Sequence, residues 1–189
     1  FNQAFRSVIP QSVAGSLSAP EFEAWGVGWD QKIGSSTYLG AQAQWLKADV
    51  HQEVGLFNFT PVPIATQTAG STTERLDYDE RTLLFPANQL VGNHAALGAS
   101  YRLSQADLDQ AFSGIPSPTG SELSSDVQAI LHQVRLYALA YNSAGWFGQF
   151  DSVWSQQSNQ GYSPDLPGDD FWQFNVHVGR RFFRRHAEV

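Results

Sequence analysis

The chain is 189 residues long, with a formal net charge of −7, 13% aromatic residues and 15% charged residues. An acidic chain whose one basic cluster is Arg180, Arg181, Arg184 and Arg185 offers no electrostatic footprint for nucleic acid. No window approaches the roughly 18 consecutive apolar residues of a transmembrane helix, and the absence of Cys excludes disulfides, thiolate metal sites and Cys nucleophiles.

A mean hydropathy of −0.30 leaves room for strands in which only every second residue is apolar, and this chain alternates in segment after segment. Glu23 to Lys32 sets Trp25, Val27 and Trp29 against Ala24, Gly26, Gly28 and Asp30. Thr37 to Trp45 sets Leu39, Ala41, Ala43 and Trp45 against Tyr38, Gly40, Gln42 and Gln44. Arg75 to Gln89 is the least regular and contains Pro86, which is expected at an edge or a bulge because proline lacks the ladder donor. Ala95 to Ser104 sets Leu97, Ala99, Tyr101 and Leu103 against Gly98, Ser100, Arg102 and Ser104. Ala129 to Tyr141 sets Val134, Leu136, Ala138 and Ala140 against Gln133, Arg135, Tyr137 and Tyr141. Trp146 to Gln156 offers Trp146, Phe150 and Trp154 against Gln149, Asp151 and Ser155. Asp169 to Phe183 is the cleanest, with Trp172, Phe174, Val176 and Val178 facing away from Gln173, Asn175, His177 and Gly179. Ala187 to Val189 reads as the start of one more strand, and the lack of both Met and a signal peptide suggests a mature product or a fragment.

The connections alternate in length. Short turns around Gly34-Ser35-Ser36, Gly92-Asn93 and Asn142 to Gly145, with another near Arg184, separate long polar stretches near 48–73, 105–128 and 157–168. Outer-membrane barrels show this asymmetry, with tight periplasmic turns and longer outer loops. The tryptophans agree with it. From Trp146 to Trp154 a tilted strand rises about 20 Å, near the roughly 25 Å apolar band flanked by aromatic girdles. Trp25, Trp45, Trp154 and Trp172 then fall near the outer rim, and Trp29 and Trp146 near the inner one. The segments Tyr38 to Ala41, Ala96 to Ala99 and Trp146 to Gln149 each follow a short glycine-bearing turn, as a β-meander requires.

Several segments resemble the C-terminal β-barrel region of large bacterial outer-membrane proteins that carry tetratricopeptide repeats upstream. They are Trp25-Gly26 through Asp30-Gln31-Lys32, Leu76 to Arg81, Gln89-Leu90, Gly98 with Tyr101-Arg102-Leu103, Gly168 to Gln173, and Gly179, Phe182, Arg185 and Ala187-Glu188. The likeness runs from about Ala24 onward in short, aromatic-rich motifs. It implies an outer-membrane location in a Gram-negative bacterium and a role in envelope transport or polymer export. The chain departs from that pattern in having no helical-repeat segment and in stopping where further strands are expected.

The polar face supplies the candidate lining residues: Gln42, Gln44, Arg102, Gln133, Arg135, Gln149, Asp151, Gln173, Asn175 and His177. Amides and guanidinium groups offer the paired donors and acceptors that a hydrophilic solute or a polysaccharide needs, although any barrel requires such a face. His132, His177 and Asp151 invite a hydrolase reading, but no G-x-S-x-G elbow accompanies them, and no catalytic residue or cofactor is assigned. The acidic groups Glu74, Asp77, Asp79 and Glu80, and Asp165, Asp169 and Asp170, lack calcium-loop spacing, so no metal site is assigned.

These features predict one all-β domain over 1–189: an antiparallel up-and-down transmembrane β-barrel (a meander) of about seven to eight strands, an incomplete portion of a larger barrel. The expected function is a non-enzymatic outer-membrane channel or export pore, or a membrane anchor for a cell-envelope complex. Its expected partners are outer-membrane lipids, lipopolysaccharide and other envelope subunits. The alternative is a soluble all-β ligand-binding module, a sandwich or lipocalin-like barrel, with the apolar stripe packed inward.

Overall fold

The computed structural model describes residues 21–60, 66–115, 124–162, 165–182 and 187–188. It is an antiparallel meander with no helix among those residues: β1 (Glu21–Ile33), β2 (Thr37–Thr60), β3 (Thr66–Val91), β4 (Ala95–Phe112), β5 (Ser125–Tyr141), β6 (Trp146–Gln160), β7 (Asp169–Phe182) and the two-residue β8 (Ala187–Glu188). Each strand pairs with the strand before it and the strand after it, in sequence order. The sheet is open: no pairing joins β1 to β7 or β8 among the described residues.

The turns at the lower end are tight for a backbone reason. Gly34, Gly92 and Gly145 take φ of 63°, 58° and 90°, the left-handed region that glycine enters without a Cβ penalty. In the third turn the Asn142 side chain accepts from the Trp146 amide at 3.0 Å, and the Asn142 amide donates to the Trp146 carbonyl at 2.9 Å.

Five of the strands, β2 to β6, are longer than alternation of one fixed apolar face predicts. The stretch 48–73, read as a long loop, is strand up to Thr60 and again from Thr66; β4 continues to Phe112, β5 starts at Ser125, and β6 continues to Gln160. The physical reason is a change of face, not a loss of alternation. Beyond Trp45 the apolar residues move to the other parity, with Leu46, Ala48 and Val50 on one face and Lys47, Asp49 and His51 on the other. The connections left at the upper end are 61–65, 113–124 and 161–168, of which 61–65, 116–123 and 163–164 lie outside the described residues. The basic turn residues Arg184 and Arg185 lie outside them too.

Pro86 is neither at an edge nor at a bulge. It sits inside β3, opposite Ser100 of β4, and the β2–β3 pairing skips from Leu39↔Ala87 to Gln42↔Leu84 without a change of register. The missing amide thus leaves a gap in one ladder, and Gly40 fills it: a Cβ there would lie 2.9 Å from the Pro86 ring. A side chain at position 40 and a proline at 86 would compete for the same space.

Candidate functional site: two faces that exchange character

The registers place the alternating residues on two continuous surfaces. On the outer face, Trp25, Val27, Trp29 and Ile33 stand beside Ala43, Trp45 and Leu39; then come Leu83 and Phe85, Leu97 and Tyr101, Val134 and Leu136, Phe150 and Trp154, and finally Trp172 to Val178. This surface is most exposed on the outer strands, with Trp25 at 67% and Val176 at 71%, while Tyr101, Val134 and Trp154 are half-buried among their neighbours. No second layer covers it among the described residues.

The opposite, inner face is polar over the same length. Thr82, Ser104, Asp151 and Ser155 are buried there, while Gln42, Gln44, Gln149, Asn175 and His177 are exposed. All ten candidate lining residues lie on this inner face. Five of them (Arg102, Gln133, Arg135, Asp151 and Gln173) meet in one concavity of about 510 Å³, with Leu84, Ser100 and Val153. Gln42 and Gln44 instead lie over Gly28 and Gly26, where the missing side chains make room for their methylenes. Gln149, Asn175 and His177 are exposed towards the lower end of β6 and β7.

The inner network is held by paired charges and hydroxyls. Asp151, only 6% exposed, accepts from Arg135 Nε at 2.8 Å and from Arg135 Nη2 as well. Gln133 donates to the fully buried Ser155 hydroxyl at 3.2 Å. Glu80 accepts from Tyr78 at 2.9 Å and from the Thr82 hydroxyl at 3.1 Å. Since that hydroxyl has one proton, the 2.8 Å contact between Thr82 and Ser104 has Ser104 as the donor. His132 and Asp151 lie on opposite faces: His132 is outward, its Nδ1 2.8 Å from the Tyr101 hydroxyl.

The tryptophans define a boundary. Trp25 lies directly opposite Trp45, and Trp154 directly opposite Trp172. Two of the four donate an indole N–H to a carboxylate just above: Trp25 to Glu23 at 3.2 Å and Trp154 to Asp170 at 3.5 Å. Following the ladders from Trp172 through Trp154, Val134, Tyr101 and Phe85 leads to Ala41 and Trp29, not to Trp25. The boundary therefore steps four residues, from Trp29 to Trp25, over the six steps from β1 to β7. With roughly 3.3 Å per residue and about 4.8 Å between strands, this is a strand tilt of about 25°. Trp29 is consequently midway along the apolar segment of β1, not at its lower end. Trp146 does stand beside the lower turn, under the Arg180 guanidinium at 5.4 Å.

Above this boundary the faces exchange character. The outer face becomes charged, with Glu21, Asp49, Asp77, Asp109 and Asp126 directly opposite one another on five consecutive strands. The inner face becomes apolar, with Ala48, Tyr78, Val127 and Ala129 buried together. Sequence alternation separates the acidic groups that looked like one cluster: Asp77 and Asp79 point outward, Glu74 and Glu80 inward, and Glu74 accepts from Gln52 at 2.6 Å and from Gln110. No group of three or more metal-ligating side chains forms a metal site among the described residues.

Burial pushes the Asp77 carboxyl above its usual value, and a hydrogen bond shared with Asp49 pushes the same way against the Arg75 guanidinium. The exchange of faces could have been found in the sequence, in Leu46-Lys47-Ala48-Asp49-Val50 and Ala106-Asp107-Leu108-Asp109. No family model matches the chain, and no curated protein matches it at a significant level.

Proposed function

We propose that this sheet is part of the wall of an outer-membrane β-barrel whose polar inner face lines a lumen. The barrel acts as a channel or export pore for hydrophilic solutes, or as the membrane anchor of an envelope complex. One observation supports this above the others: the apolar outer face is uncovered across seven strands, ends at paired tryptophans on β1–β2 and on β6–β7, and gives way to a row of carboxylates at the upper end of β1 to β5. Monomeric soluble proteins rarely expose contiguous apolar patches beyond a few hundred Å². A soluble sandwich has no physical reason to exchange its faces at a similar level along four consecutive strands, β2 to β5. A barrel leaving a bilayer has one, because lipid contact ends there and water begins.

The stagger of the tryptophan boundary fits this reading, since closing a sheet into a barrel requires strands tilted in one sense. The upper carboxylates would meet lipopolysaccharide head groups or the outer medium, and other envelope subunits would dock on the exposed ends. The test is fractionation of the full-length protein from its native cell. It should sediment with outer membranes, require detergent for extraction, and migrate differently on gels before and after heating. Recovery in the aqueous fraction without detergent overturns the reading.

A further inference from the structure

The apolar cluster at the upper end of the inner face has one member from outside β2–β5. Ala48, Tyr78, Val127 and Ala129 are packed by Leu46, Ala106 and Leu108 from their own strands, and by Tyr162 from the connection that follows β6. The backbone explains how Tyr162 arrives there. Gly161 takes φ +81°, and a Cβ at that position would lie 1.9 Å from the Asp126 carbonyl oxygen and 3.2 Å from Val127 Cα. A glycine is thus needed twice, for its conformation and for its contact with the start of β5. The chain is pressed against the strand that carries Val127, and the next side chain lies on the cluster. Burial raises the Tyr162 phenol above its usual pKa, as expected of a ring partly removed from water.

We propose that Tyr162 is the closing residue of a hydrophobic gate: it seals the apolar collar above the polar inner face, and its withdrawal admits water and solute. The proposal rests on the reading of the inner face as a lumen. Hydrophobic constrictions gate by dewetting, without any charged barrier. The polar concavity around Arg135 and Asp151 and the apolar collar then have different tasks, the first to solvate what passes and the second to stop it.

These 189 residues contain no cysteine. In the full-length protein, with any cysteine outside them replaced by serine, Ala129→Cys places a single thiol in the cluster, and its rate of modification by a sulfonated maleimide reports water access. The expected result is slow labelling in the Ala129→Cys protein, at least tenfold faster labelling when Tyr162→Ala is added, and slow labelling retained with Tyr162→Phe. A thiol at the exposed outer position, Asp109→Cys, should label rapidly with or without Tyr162→Ala. Equal rates at Ala129→Cys with and without Tyr162→Ala overturn the gate, as does a Tyr162→Phe protein that labels as fast as Tyr162→Ala. The lumen reading has its own control in lipid: Asn175→Cys should label and Val176→Cys should not. A reversal there defeats the lumen while the Ala129 comparison still reports the contact.

Discussion

The Tyr137 hydroxyl donates to Asn88 Oδ1 at 2.7 Å across the strand that lies between them. The bridge is available because Gly98 stands between the two residues in the ladder, and a Cβ there would fall 2.1 Å from Tyr137 Cε1. An aromatic ring laid over a glycine covers backbone that would otherwise be wet and fixes register. Gly98→Val should displace the ring and cost about 1–3 kcal/mol, as overpacking does. Tyr137→Phe keeps the ring, loses the bond, and should cost about 0.5–1.5 kcal/mol. Denaturant midpoints of the folded protein in detergent should rank the two in that order, and a neutral Gly98→Val would remove the bridge from the account of stability.

This relationship marks the limit of what the sequence made legible. Every strand but β3 was visible as clean alternation, and the three described lower turns as a glycine each, because both signals are local. The apolar and polar residues came out on opposite faces for the same reason: Val176 and His177 must point apart in any strand. Three things needed the third dimension. The upper halves of β2 and β3 looked like loop because their apolar residues change parity above Trp45. The level of Trp29 depended on the stagger between strands, which only the registers supply. The Tyr137–Asn88 and Arg135–Asp151 contacts join residues far apart in the chain, and nothing in their local sequence pairs them.

The two faces of β7 should respond oppositely to the same substitution. Val176 points outward in the middle of the apolar surface, while His177 points inward and is directly opposite Gln149. In a bilayer, Val176→Arg should cost roughly 2–4 kcal/mol, the range for a cation on the lipid face near the midplane. His177→Arg should be nearly neutral, since the inner face already holds arginines. Refolding into lipid vesicles with each variant measures this, and the opposite ranking would falsify the face assignment.

Breaking the Arg135–Asp151 pair should be asymmetric. The Asp151 side chain is 8% exposed and that of Arg135 is 52% exposed, so Arg135→Ala leaves a buried carboxylate without its cation. The expected cost is roughly 2 kcal/mol, below the about 3–5 kcal/mol for breaking a fully buried pair because Arg135 is half in water. Removing both partners in Arg135→Ala/Asp151→Ala should recover part of it. Arg135→Lys should rescue incompletely, because an ammonium cannot reproduce the two-pronged guanidinium contact. A double-mutant cycle on unfolding free energies gives the coupling, and a coupling of zero would leave the pair without a structural role.

The upper, water-exposed end should become less stable as pH rises through the carboxylate range. Asp77 lies above the tryptophan boundary, and its carboxyl is held above the usual 3.8 by burial first and by the hydrogen bond with Asp49 second, with Arg75 pulling the other way from 2.9 Å. A raised pKa means that the folded state binds the proton more tightly than the unfolded state. The stability it contributes is therefore present below the ordinary carboxylate pKa, is lost as pH rises through the folded value, and is flat above it. Asp49→Asn removes the neighbouring carboxylate, so the Asp77 pKa should fall and the slope should shrink. Carboxyl chemical shifts followed by NMR across pH 3 to 7, alongside unfolding midpoints, read both quantities. An Asp77 that titrates below 3.8, or a midpoint that climbs with pH because of Asp77, would mean that Arg75 outweighs burial and Asp49 at this site.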